Sequence, residues 1–69
     1  MTKTITGEEI YFKIEKARLR KNISKKKIAL SIGMSPTNFY DTMRLLLKGN
    51  IRYKSIIKIT NFLGIDLGI

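Results

Sequence analysis

The sequence contains no cysteine and no histidine. Without cysteine there is no disulfide and no thiolate, and losing histidine as well removes the usual soft-metal ligands. The commonest nucleophile–base pairs lose their members by the same absence. The five acidic residues are scattered rather than gathered into a catalytic constellation. The chain is therefore expected not to be an enzyme and to need no cofactor and no metal. Long apolar runs are missing too. None exceeds three residues, the length of Leu45–Leu47, far short of the roughly 20 residues that span a bilayer, and no N-terminal apolar segment suggests export. No membrane association and a cytoplasmic location are the resulting expectations. No repeat, linker or low-complexity segment interrupts the chain.

At 69 residues the chain can form one domain at most, residues 1–69. Hydrophobic residues make up 43%, enough for a small all-helical core whose stability is modest or borrowed from a partner. The charge is lopsided: 14 Lys and Arg against 5 Asp and Glu give a net +9. Eight of those cations fall between Lys13 and Lys27. A positive field of that concentration favours a polyanion, nucleic acid ahead of an anionic membrane. A merely solvated basic face is the plainer reading, and clustering beside a turn motif speaks against it.

That motif runs from Ser24 to Arg44 and reads as a helix, a tight turn and a second helix. Ser24 is an N-cap candidate, and Ile28, Ala29 and Ile32 form an apolar stripe at helical spacing. Gly33 stands where the first of these helices must stop, because glycine enters the left-handed region without steric cost. Met34 is an apolar plug in the turn. Ser35 and Pro36 then supply an N-cap and a first-turn proline for the next helix. Small Ala29 and Gly33 let the two helices approach closely at a steep angle, the requirement of a helix-turn-helix.

The rest of the chain reads as two flanking helices. Residues 1–5 are expected to fray. Thr6-Gly7-Glu8-Glu9 has the capping-box pattern and opens a helix over about 7–21. Ile10, Ile14 and Ala17 line its buried face with Tyr11 beside them, and Lys13, Lys16, Arg20 and Lys21 line the other. Asn22 is a left-handed stop before Ile23 re-enters the core. The second helix covers about 25–32 and begins with Lys25, Lys26 and Lys27. That placement opposes the helix dipole, which suits lysines that meet phosphates drawn to the same end. The third helix, about 36–48, is expected to bury Phe39, Met43, Leu46 and Leu47. Its other face shows Thr37, Asn38, Asp41, Arg44 and Leu45, with Tyr40 at the edge. Asn and Arg can read adenine and guanine edges bidentately. Gly49-Asn50 closes that helix. A connection bearing Arg52 leads to a fourth helix over about 54–63, with Tyr53, Ile56, Ile57, Ile59, Thr60 and Leu63 on a broad buried face. Gly64 caps it, and Ile65, Leu67 and Ile69 alternate in a short apolar tail. The fold expected is all-α: a compact four-helix domain containing a helix-turn-helix.

The chain resembles the Cro/repressor-type (XRE-like) helix-turn-helix family of bacteriophages and bacteria. Ile14-x-x-Ala17-Arg18, Asn22-Ile23-Ser24, Ile28-Ala29-x-x-Ile32-Gly33-Met34-Ser35 and Ile56-Ile57-Lys58-Ile59-x-x-x-Leu63-Gly64-Ile65 carry the resemblance, in that order over most of residues 10–67. The family meets phosphate at the start of the second helix and bases on the exposed face of the third. The resemblance thus implies a small transcriptional regulator of double-stranded DNA, acting in the cytoplasm of a bacterial host. Arg18, Lys25, Lys26, Lys27 and Arg52 would lie on phosphates, and Thr37, Asn38, Tyr40 and Arg44 on bases. A domain with so few contacts is expected to bind as a homodimer. Thr42 stands where the family usually has a large apolar residue. The distance from Ser35 to Gly49 is longer by about one helical turn, and no dimerisation domain is expected after the fourth helix. Asp41 and Leu45 are unusual on a face that meets DNA. They motivate an alternative from another class: a phage-switch modulator, or antirepressor, that binds a cognate repressor protein through the third helix. A membrane-active cationic peptide is a third reading, opposed by the turn motif and the capped, short helices.

Overall fold

The computed structural model describes residues 5–66. Four helices follow one another, α1 over Gly7–Lys21, α2 over Lys25–Ser31, α3 over Pro36–Leu47 and α4 over Tyr53–Leu63. No strand occurs among the described residues. The fold is all-α and compact, as the periodicity of the sequence predicts. The helix ends differ from the sequence reading by one residue at most: α2 and α3 stop one earlier, and α4 begins one earlier.

One repeated device starts these helices. Thr6, Ser24 and Ser35 each accept a backbone N–H three residues on, from Glu9, Lys27 and Asn38, at 3.1 Å in every case. An apolar residue precedes each cap, and another lies four residues after it. The pairs are Ile5 with Ile10, Ile23 with Ile28, and Met34 with Phe39. All six belong to or pack on a single hydrophobic core, the arrangement of a hydrophobic staple. Ile51 and Ile56 repeat it at α4, although Arg52 in the cap position makes no side-chain cap bond. The staple corrects the expectation of fraying for Ile5 alone. Ile5 is buried against the core, while residues 1–4 lie outside the described residues.

The helix ends are equally regular. Asn22, Gly33, Gly49 and Gly64 all take positive φ. The residue after each donates its N–H to the carbonyl five positions back, Ile23 to Arg18, Met34 to Ala29, Asn50 to Leu45 and Ile65 to Thr60, at 2.8–3.1 Å. Ile23 and Met34 therefore finish one helix and staple the next, which fixes the short turns on either side of α2. The start of α1 lies directly on the end of α3: a Cβ added at Gly7 would fall on the Leu46 carbonyl oxygen. Only glycine permits that approach.

Ile10, Ile14, Ile28, Phe39, Leu46, Ile56 and Ile59 are fully buried, with Ala29, Met43 and Leu63 beside them. Three residues expected in this core are outside it. Leu47 is 49% exposed, and Tyr53 and Ile57 are also exposed. Successive helical residues point about 100° apart, and on these helices Leu46 and Ile56 take the buried line while Leu47 and Ile57, one step round, fall on its exposed side. Tyr53 and Ile57 share the stripe one step off the buried line of Ile56, Ile59, Thr60 and Leu63. Thr42 is buried, and its hydroxyl donates to the Asn38 carbonyl at 2.9 Å. A polar atom thus sits in the core without an unmet hydrogen bond. Of the expected apolar tail, Ile65 packs on the core; Leu67 and Ile69 lie outside the described residues.

Candidate nucleic-acid interface

α2, the turn Ile32–Ser35 and α3 form the centre of the site. α3 is held at its start by the Ser35 cap and by Pro36 in its first turn. Thr37 and Asn38 are exposed there, with the Asn38 backbone engaged at both ends by Ser35 and Thr42. That leaves two polar side chains standing on a fixed backbone. Tyr40 is exposed on the same helix and meets the buried Phe39 ring edge-on, centroids 6.3 Å apart.

Arg44 is exposed, but it is not idle. Its Nη2 donates to Asp41 Oδ1 at 3.1 Å within the helix. The side chains are 67% and 46% exposed, so the pair is worth at most about 1 kcal/mol and a better acceptor can displace it. Asp41 therefore orients Arg44 as well as interrupting the positive face. Leu45 is half-buried.

The cations at the start of α2 divide into two kinds. Lys26 and Lys27 are exposed. Lys25 is drawn back to α1, its Nζ 3.5 Å from Glu15 Oε1. Glu15 also holds Arg18, whose Nη2 and Nε donate to Oε2 at 2.8 and 3.2 Å. Arg18 Nη1 donates to the Ile23 carbonyl at 3.2 Å. With side-chain exposures of 19% for Arg18 and 16% for Glu15, this is a clasp that ties α1 to the turn before α2. Arg18 is thus placed as a structural residue, its guanidinium turned to Glu15 and Ile23 rather than outwards. The buried Glu15 Oε1 makes no hydrogen bond, which leaves Lys25 as its compensating charge. Sequence reasoning passed over Glu15. Its i, i+3 spacing from Arg18 was a visible signal, whereas its pairing with Lys25 depends on how α1 and α2 meet.

Lys25 nevertheless reaches the α3 surface. Together with Tyr40 and Arg44 it lines a groove of about 230 Å³, with Tyr11, Met43 and Leu47 as its apolar part. The structure thus brings Lys25, Tyr40 and Arg44 together. Arg52 is exposed in the cap position of α4, beyond the far end of α3. Arg52 does not line the groove that holds Lys25, Tyr40 and Arg44. The seven-residue α2 has its first turn capped by Ser24, and it is the lysine side chains that offer positive charge there. Among the described residues no group of His, Cys, Asp and Glu could hold a metal ion, and no helix is long and apolar enough to cross a membrane.

No protein-family model, no curated protein and no solved structure matches this chain.

Proposed function

We propose that this chain is a small DNA-binding transcriptional regulator of the Cro-like helix-turn-helix kind, acting on duplex DNA in the cytoplasm of a bacterial host. The observation that carries the reading is the surface joining the start of α2 to the exposed side of α3. Lys25 shares a groove with Tyr40 and Arg44, and Lys26 and Lys27 are exposed beside it. In this reading Lys26 and Lys27 meet phosphates first, with Lys25 released from Glu15 as the third contact. Thr37 and Asn38, at the fixed start of α3, meet base edges together with Tyr40 and Arg44. Binding as a homodimer places two such helices on half-sites about 34 Å apart. The protein works by binding alone and carries out no chemistry.

The test is duplex affinity against salt concentration, for the wild type and for Lys26→Gln/Lys27→Gln. Each lost phosphate contact lowers the slope of log affinity on log salt by about 0.9, so the double variant is expected to lose about 2. An unchanged slope would remove these lysines from the interface.

A second reading, a modulator of a partner repressor, is favoured by one feature. Beside the Asp41–Arg44 pair, Tyr40 and Leu47 expose apolar surface, and Leu45 is only half-buried. A repressor that copurifies with the wild type but not with Leu45→Lys supports this reading. Copurification that is indifferent to that change opposes it.

A further inference from the structure

We propose that the flank of α1 turned towards the end of α4 is a docking groove for an acidic amphipathic helix of a partner protein. Lys13, Lys16, Arg20 and Lys21 rim a groove of about 390 Å³. Its apolar lining comes from half-buried Ala17 and Ile65, with buried Leu63 beneath them. All four cations are exposed, and none takes part in the Arg18–Glu15, Lys25–Glu15 or Arg44–Asp41 ion pairs. Lys13, Lys16 and Arg20 follow the i, i+3, i+7 spacing that puts side chains in one row, here about 10 Å long.

This groove is separate from the α2–α3 surface. Glu15 and Arg18 of α1 face Lys25 and the turn before α2. The cationic row occupies the opposite flank of the same helix, beside α4. Its occupant must meet two conditions at once. The row of cations calls for a row of anions, and the floor calls for apolar side chains between them. A phosphate backbone meets the first condition and has nothing to place on Ala17 and Ile65. An amphipathic helix meets both, with carboxylates at the same i, i+3, i+7 spacing flanking leucines over two turns. The complementary charge also speeds encounter and sets the partner's orientation.

The probe is a fluorescein-labelled peptide of about 15 residues, long enough to sample helix, with glutamates in that spacing around leucines. A scrambled peptide of identical composition is the comparator. Full-length wild type is expected to bind the ordered peptide more tightly than the scrambled one, with NMR shift changes at Ala17, Leu63 and Ile65. Neutralising the rim as Lys13→Gln/Lys16→Gln/Arg20→Gln is expected to weaken binding about tenfold, the combined worth of three rim charges. The substituted side chains are exposed, and circular dichroism of the variant checks its fold. Lys26→Gln/Lys27→Gln is expected to bind the peptide as the wild type does. The proposal is overturned if the ordered peptide does not bind or if the scrambled peptide binds equally. It is equally overturned if the triple variant keeps the peptide while losing duplex DNA, which would make the row a phosphate surface.

Discussion

Replacing Gly7 with alanine separates two effects that usually act together. Alanine is the better helix former, and within a helix the exchange ordinarily adds about 0.5–1 kcal/mol. Here the added methyl would land on the Leu46 carbonyl oxygen. That atom is backbone at the end of α3, so it cannot swing aside as a long side chain would. Relief requires α1 and α3 to move apart where Ile5, Ile10 and Leu46 are packed in one core. Overpacking of this kind costs about 1–3 kcal/mol. Set against the propensity gain, a net loss of roughly 1–2 kcal/mol is expected. In a domain of this size that lowers Tm by about 4–8 °C for each kcal/mol. Urea and thermal unfolding followed by circular dichroism measure it. Gly33→Ala is the control, because Gly33 has open space around it and a φ of +77°. Its cost of about 1–2 kcal/mol comes from the left-handed backbone alone. Glycine replacement by D-alanine, which tolerates positive φ, should therefore rescue position 33. A Gly7→Ala protein as stable as the wild type would refute the close contact between α1 and α3.

Two further substitutions probe the site. Glu15→Gln removes the charge that holds Arg18 and Lys25. It should cost about 1–2 kcal/mol in urea unfolding while raising non-specific duplex affinity at low salt, because Lys25 is freed. Unchanged stability would contradict the clasp, and a fall in affinity would contradict the release of Lys25. Ser35→Ala removes the cap that fixes the start of α3. Chemical denaturation should show a loss of about 1 kcal/mol, and amide exchange at Asn38 should quicken while that at Ile59 follows only the global change.

Much of the fold was legible because punctuation and periodicity agree. Thr6, Ser24 and Ser35 mark helix starts, and Asn22, Gly33, Gly49 and Gly64 mark helix ends, each with its own local chemistry. α4 had no capping side chain before it, and its start was displaced by a residue. Ile5 was readable in principle from its place before Thr6 and five residues ahead of Ile10, a staple that recurs before each helix. Leu47, Tyr53 and Ile57 were misplaced because hydrophobicity gives a stripe and not its centre, which depends on where the neighbouring helices lie. Gly7 looked like a spacer in a capping box, since its role depends on α3, a partner distant in sequence. In the candidate site, the exposure of Thr37, Asn38, Tyr40 and Arg44 follows from helical phase alone. The engagement of Arg18 and Lys25 with Glu15 does not, because it requires knowing how α1 meets α2. Lysines equal in sequence, Lys25 and Lys26, differ in structure for that reason.

The central claim is that the exposed side of α3 reads duplex sequence, and selection from a random duplex pool tests it most directly. The wild-type protein is expected to enrich a two-fold-symmetric motif with half-sites about one helical turn apart, and Asn38→Ala or Arg44→Ala should relax the preference at individual positions by about 1–3 kcal/mol. Recovery of duplexes with no enriched motif, by the wild type and both variants alike, would contradict it and leave only a basic surface.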